Sequence, residues 1–360
     1  MKKKVLVAMS GGVDSSVAAA LLLEQGYDVS GVTLKLYDNE DLGIDDKTRT
    51  CCSIFDVEDA QIVAQRLGFR HYVFNFGLYF QRDVMERFAD AYQKGETPNP
   101  CIDCNRYIKF SKLLERALLL GYDYIATGHY ARVEYDEKKQ RYLLKKAKDA
   151  SKDQTYVLYA MTQQELARTL FPLGDMLKSE VRKIAEEKDL VNAGKPDSQD
   201  ICFVKDNDYA GFLTDVMGVE SVPGDFIDTE GNVIGRHKGL IHYTIGQRRG
   251  LNIGFGRRKY VVKIDRDNNT VTLGDPEDLF SESLMARDVN LISISKLDAP
   301  MEVTVKTRYK QPETKATIYP VGNDNIRVVF ENPQRAITPG QAVVFYDNDV
   351  VVGGGTISLE

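Results

Sequence analysis

The sequence predicts an α/β protein: a doubly wound, mostly parallel sheet domain first, a small α+β domain next, and a C-terminal β-barrel last. Three observations carry this reading. Up to about residue 200, short apolar runs alternate with segments whose apolar residues recur at helical spacing. Beyond about residue 220, alternation takes the two-residue period of strands. A glycine turn joins the first apolar run directly to the first helical segment, as a strand–turn–helix unit of such a domain requires.

Taken in order, residues 5–9, 29–36, 72–75 and 124–127 read as buried strands, and residues 17–25, 57–67, 80–92 and 108–119 as helices between them. Gly26, Gly68 and Gly121 fall where these helices must stop. Residues 163–170 and 178–188 predict further helices. Strands are then expected at 241–245, 260–265, 270–273, 301–307, 316–319, 326–330, 342–346 and 350–353, with the last domain boundary near 276–283. The expected domains are 1–205, 206–278 and 279–360.

With 360 residues the chain has room for two or three cores. No apolar run approaches the ~18 residues a membrane span needs, and Met1-Lys2-Lys3-Lys4 leads straight into a strand, so neither a span nor a signal peptide is expected and the cytoplasm is the expected compartment. Five cysteines, an odd number in a long chain, do not read as a secreted disulfide framework; they invite a catalytic or metal-binding reading. A net charge of −6 counts against a protein coated in nucleic acid. Residues 138–152, however, hold seven basic residues against Asp149 alone, and basic clusters recur at Arg248-Arg249, Arg257-Arg258-Lys259 and Lys306, Arg308 and Lys310 around Tyr309. Each cluster by itself reads as a solvated surface, while together they permit an electropositive groove.

The run Ser10-Gly11-Gly12-Val13-Asp14-Ser15-Ser16 between strand and helix is the strongest chemical signal. Adjacent glycines let backbone N–H groups converge on an anion, serines add hydroxyl donors, and the helix start adds partial positive charge. The Walker spacing and its lysine are absent. Instead the loop resembles that of the PP-loop ATP pyrophosphatases, which implies ATP cleaved to AMP and pyrophosphate, with Asp14 helping to place Mg²⁺.

Cys101-Ile102-Asp103-Cys104, preceded by Thr97-Pro98-Asn99-Pro100, is the second signal, with Cys202 far along the chain. A CxxC alone reads equally as a redox pair, as metal ligands or as two inert thiols. A helix expected from about Ile108, and Arg106 beside Cys104, would favour a thiolate.

These blocks in this order, with Thr127-Gly128-His129-Tyr130-Ala131, Lys152-Asp153-Gln154-Thr155-Tyr156, Ser198 to Phe203 and Tyr243 to Arg248, resemble the tRNA 2-thiouridylases of the MnmA/TrmU family along the whole chain. The resemblance implies a PP-loop N-terminal domain and replacement of the C2 oxygen of a tRNA wobble uridine by sulfur, after ATP has adenylated that oxygen. It implies ATP binding by Ala8, Met9, Ser10, Gly11, Gly12, Val13, Asp14 and Ser15 with Leu34 and Gly128, Cys104 as nucleophile, and Cys202 as the persulfide carrier charged by an upstream sulfur donor. It further implies a base pocket at Asn99, Pro100 and Cys101, and tRNA contacts at His129, Lys152, Asp153, Gln154, Arg308, Tyr309 and Gln341. His129 also reads as a structural histidine after a strand, Lys152-Asp153-Gln154 as a charged turn, and Cys51-Cys52 as structural.

One position departs from the family, which often carries aspartate where this chain has Cys101. Two readings of the thiols stand open: a persulfide and disulfide route through Cys104 and Cys202, or an iron–sulfur cluster, [4Fe-4S], on Cys101, Cys104 and Cys202. The rival functions are an ATP-dependent amidotransferase or ligase, which needs no thiol pair, and a non-catalytic tRNA-binding protein, against which the intact Gly11, Gly12 and Asp14 count.

Overall fold

Five parallel strands form the first sheet: β1 (Lys4–Ala8), β2 (Asp28–Lys35), β3 (Arg70–Asn75), β4 (Tyr124–Ala126) and a short strand at Thr169–Leu170, in the order β3-β2-β1-β4 and then that short strand. The order reverses between β1 and its two neighbours, which puts the ligand crevice of such a sheet at the carboxyl ends of β1 and β4. The computed structural model describes residues 2–38, 42, 54–197, 201–251, 253, 258–322 and 324–358. Cys51, Cys52, Ser198, Gln199, Asp200 and Arg257 lie outside them.

The chain divides into two compact units, Met1–Val84 with Cys101–Asn207 and Asp349–Val351, and Met85–Pro100 with Asp208–Asn348 and Val352–Glu360. In the first, helix α1 (Val13–Glu24) is apolar or small on nearly every face and is buried accordingly, with Ser16, Val17, Ala18 and Ala19 at 0% exposure. It shares a core with Val5 and Val7 of β1, with Ala60 and Val63 of α2 (Ile54–Leu67), and with Val181 and Ala185 of the Lys178–Glu187 helix. The sequence pattern did not mark the hairpin of β5 (Arg132–Asp136) and β6 (Arg141–Lys145), whose turn carries the start of the basic stretch. The Thr169–Leu170 strand (β7) replaces the end of the helix expected over 163–170, which stops at Ala167. Thr169 and Leu170 instead pair with Ile125 and Ala126 of β4.

The second unit contains a four-stranded sheet of β8 (Gly224–Ile227), β9 (Val233–His237), β10 (Tyr260–Asp265) and β11 (Thr270–Gly274), in the order β10-β11-β8-β9. It also contains a barrel of β12 (Phe280–Leu291), β13 (Met301–Lys306), β14 (Thr314–Val321), β15 (Asn325–Arg335), β16 (Ala342–Asp347) and β17 (Val350–Ser358). The barrel runs β12-β15-β14-β13-β16-β17 and closes by β17 pairing back onto β12, which removes the free edges of the sheet. Alternate residues such as Val303, Val305, Ala316, Ile318, Val328 and Phe330 fill its interior.

The strand expected at 241–245 is absent. Leu240–His242 forms a 3₁₀ turn, Tyr243 N–H donates to the Leu240 carbonyl, and Thr244 N–H donates to Gln247 Oε1. Ile241, Tyr243 and Ile245 are nonetheless buried, the last two in the core of this sheet, which explains the pattern, but local bonds take donors a sheet would need.

Candidate active site

The turn between β1 and α1 admits only glycine at its first bend. Gly11 has a φ of 68°, and a Cβ there would lie 2.4 Å from the Asp56 carbonyl oxygen. Gly128, just beyond β4, touches the start of α1 so closely that a Cβ would lie 2.6 Å from Ser15 N. The two loops expected to face one crevice therefore meet. The first N–H groups of α1 lack carbonyls one turn back, so they stand available to an anion there. The hydroxyls of Ser15 and Ser16 both donate to the Gly12 carbonyl at 3.1 Å, bracing the turn. Met9 and Leu34 are buried beside the loop's strands, and Thr33 Oγ1 donates to the Met9 carbonyl at 2.8 Å.

Distant residues supply the cations that the loop's own sequence lacks. Lys178 Nζ lies 2.7 and 2.8 Å from the two Asp14 oxygens, and Tyr130 OH donates to Asp14 Oδ1 at 2.8 Å. The same Nζ lies 2.8 Å from Asp197, whose carboxylate also holds Lys152 at 2.9 Å and Arg182 at 3.2 Å. Burial pushes the Asp197 carboxyl up, but hydrogen bonds from Lys178 and Lys152 outweigh it and hold the group below its usual range. Burial, followed by the Asp14 charge, pushes the Tyr130 phenol up, so it stays a donor. Lys195 Nζ donates to the Gly11 carbonyl at 3.1 Å and pairs with Asp56 and Asp59. Asn192 Nδ2 reaches the Gly11 carbonyl and Ser16 Oγ, both at 2.9 Å. Sequence reading missed Lys178, Lys195, Asn192 and Asp197. Their only signal was polar residues inside or just after a helical segment, more than 160 positions from the loop in the three that touch it.

The thiols occupy three different settings. The helical turn begins at Pro100, not near Ile108, because proline suits a first turn, where its missing N–H costs nothing. Cys101 is exposed, Cys104 is buried, and Cys202 is half-buried. Asn105, buried beside Cys104, donates to the Val157 carbonyl at 3.0 Å. Tyr37 OH donates to the Cys202 carbonyl at 2.6 Å, and Phe203 packs edge-on against Phe80 at 5.5 Å, which fixes the backbone on both sides of the Cys202 side chain. Among the described residues no three His, Cys, Asp or Glu side chains gather into a group able to hold a metal ion. Cys101, Cys104 and Cys202 as arranged do not fit the three-thiolate ligation of a cluster.

His129 sits between Phe110 and Phe171, with Thr127 Oγ1 2.7 Å from its Nδ1. Burial first, and the Lys109 charge second, hold its pKa well below the usual value, so the ring is neutral. Lys152-Asp153-Gln154 is a built turn: Asp153 accepts from Ala147 N–H and Thr155 Oγ1, and Gln154 Oε1 accepts from Tyr130 N–H at 2.8 Å. The basic stretch is largely paired, Lys145 with Glu134 and Asp349, and Lys148 with Glu180.

In the second unit, two distant segments, around Thr244 and at 339–341, meet Thr97, two residues before Asn99 and three before Pro100. Gln341 Nε2 donates to the Thr97 carbonyl at 2.6 Å, Thr97 Oγ1 lies 3.1 Å from Thr244 Oγ1, and Thr97 N–H donates to the Pro339 carbonyl. Arg308 Nη2 donates to the Ala336 carbonyl and Thr338 Oγ1, and Gly246, at φ 88°, lies against Ala336. Tyr309 is half-buried beside Arg308.

Residues 3–206 match the family described as tRNA methyl transferase HUP domain, 210–275 the tRNA methyl transferase PRC-barrel domain, and 281–357 the aminomethyltransferase beta-barrel domain. A tRNA-specific 2-thiouridylase MnmA of Acetivibrio thermocellus is 54% identical over 356 residues, 99% of each chain. One from Clostridioides difficile is 53% identical over 357 residues, 99% of this chain and 98% of the relative. Among solved structures, a 4-thiouridine synthetase in complex with RNA and ATP aligns at a TM-score of 0.38 and 19% identity, covering 57% of this chain and 46% of that one.

Proposed function

From its membership of the tRNA-specific 2-thiouridylase family, to which this chain belongs, we propose a division of labour among its residues. The enzyme is a sulfurtransferase that thiolates tRNA at the expense of ATP. The observation that carries the assignment of roles is the junction of Gly11 and Gly128 with the head of α1, where a Cβ at either glycine would collide with backbone and the first helix N–H groups have no carbonyl one turn back.

Ala8 to Ser15, Leu34 and Gly128 bind ATP, and Asp14 takes Mg²⁺ when the nucleotide is bound. The uridine C2 oxygen attacks the α-phosphorus, pyrophosphate leaves, and C2 becomes electrophilic. A persulfide donor charges Cys202. Its terminal sulfur adds to C2; the Cys104 thiolate attacks Cys202 Sγ, the S–S bond breaks, and its electron pair stays on the substrate sulfur. The C2–S double bond forms as AMP departs, and the resulting Cys104–Cys202 disulfide needs a two-electron thiol reductant. No step runs through a cluster. Cys101, with Asn99 and Pro100, lines the base pocket, while His129, Lys152, Asp153, Gln154, Arg308, Tyr309 and Gln341 hold the tRNA. Neutral His129 does so by stacking or hydrogen bonding rather than by charge. The regions 1–205, 206–278 and 279–360 act as catalytic, central tRNA-binding and barrel domains, in a cytoplasmic protein; among the described residues no helix is long and apolar enough to cross a membrane.

Anaerobic incubation with unmodified tRNA, Mg-ATP and a persulfide donor, followed by nucleoside mass spectrometry, tests the assignment. Thiolated uridine is expected with the wild type. With Cys202→Ala it should vanish while pyrophosphate release in the first turnover persists. Thiolation surviving that substitution would refute the persulfide role.

A further inference from the structure

Four charged groups link the Lys152 turn to the nucleotide loop in one unbroken chain, and a fifth branches from it. Lys152 Nζ sits 2.9 Å from Asp197 Oδ2, Asp197 Oδ1 sits 2.8 Å from Lys178 Nζ, and Lys178 Nζ reaches both Asp14 oxygens. Arg182 is the fifth group, 3.2 Å from Asp197 Oδ1. Side-chain exposure is 37% at Lys152, 25% at Asp197, 11% at Lys178 and 30% at Asp14, so both ends of the series meet solvent and the shared ammonium between them is the most buried group. A second link runs beside it. Gln154 is bonded to the Tyr130 backbone in both directions, and the Tyr130 hydroxyl donates to Asp14.

Lys178 divides its three N–H groups between the two carboxylates, with two contacts to Asp14 and one to Asp197, so a change of charge at either carboxylate alters its hold on the other. We propose that Asp197 is a positioning residue that couples RNA bound at Lys152 to Mg-ATP bound at Asp14, by setting how Lys178 is shared between the two carboxylates. When an RNA phosphate takes Lys152, Asp197 loses one of its three cations and draws Lys178 more strongly. Asp14 is then less neutralised and better able to accept Mg²⁺. In a partly buried site these charge interactions are weakly screened, so a small redistribution has a measurable effect. The proposal rests on the function assigned above, in which Lys152 meets tRNA and Asp14 meets Mg-ATP. Its consequence is thermodynamic: tRNA must tighten Mg-nucleotide binding, and the nucleotide must tighten tRNA binding by the same factor.

The test is calorimetric titration of the full-length protein with MgCl₂ and α,β-methylene-ATP, with and without saturating unmodified tRNA carrying a wobble uridine, and the reverse titration. Wild type should show a coupling factor of about tenfold in both directions. Asp197→Asn leaves Lys178 on Asp14 whether or not RNA is bound, so its factor falls to about one while each ligand still binds alone. Lys152→Gln, on a side chain more than a third exposed, should do the same at saturating tRNA and carries the test if Asp197→Asn does not fold. Lys152→Arg should restore the coupling. Variants that keep the wild-type factor, or a wild type that binds both ligands independently, would overturn the coupling and leave the function standing. A wild type that binds neither ligand would overturn both.

Discussion

The nucleotide corner of the first unit and the Thr97 cluster of the second use polar side chains for opposite ends. At the corner, Asp14, Lys178, Asp197 and Lys152 pair with one another through charged side chains. Around Thr97, Gln341 and Arg308 donate to the backbone carbonyls of Thr97 and Ala336, so the same side chains that match the family's tRNA contacts also hold these segments in place. A substitution at the corner should therefore change function more than stability, and one at the cluster should change both.

The largest effect is expected at Gly128. Gly128→Ala drives a methyl group into Ser15 N and shifts the head of α1, and pyrophosphate release with tRNA should fall about 10²-fold or more, with a thermal midpoint close to wild type. A large drop in the midpoint would mean that the corner is a structural element like the cluster. Next, Gln341→Ala leaves the Thr97 carbonyl without this donor, and urea unfolding should show a loss of about 1 kcal/mol alongside weaker tRNA binding. Weakened binding with unchanged stability would erase the distinction.

A smaller effect is set by pH and separates the two units. All four histidines, His71 and His129 in the first and His237 and His242 in the second, are held below the usual pKa, chiefly by burial. Each then binds a proton more readily in the unfolded chain. Their contribution is fully present above the unfolded value near 6.5 and is lost as pH falls below it toward the lowered folded values. Urea midpoints measured between pH 7.5 and 5.5 should fall, and His129→Gln should flatten the part of that fall reported by probes in the first unit. The smallest effect belongs to Lys148→Ala. Its 3.7 Å pair with Glu180 is about half exposed on both sides, so the change should stay below about 0.5 kcal/mol and shrink further in salt.

Much of the first unit was legible because each signal was local. Ser10 to Ser16 lie consecutively at a strand end, and the strands at 5–9, 29–36, 72–75 and 124–127 are short apolar runs that a parallel sheet buries on both faces. The β5–β6 hairpin was not legible, since its strands mix Arg, Glu and Lys with apolar residues and leave only a weak alternation. The alternation at 241–245 was legible but misleading, because burial of every second residue does not require a ladder partner.

The sequence by itself determined where the glycine turn falls between strand and helix, which thiols exist, and where five of the six barrel strands lie, β12 having been missed. These depend on backbone freedom, residue chemistry and periodicity, all of which act within a few positions. Only the tertiary structure decided that Lys178 and Lys195 supply the cations the loop lacks, that Gly128 must be glycine, and that the three cysteines sit in unlike surroundings. The lysine and glycine contacts each span more than 100 residues, and their energy is set by distance and burial in the folded chain, which leaves no spacing in the sequence to read.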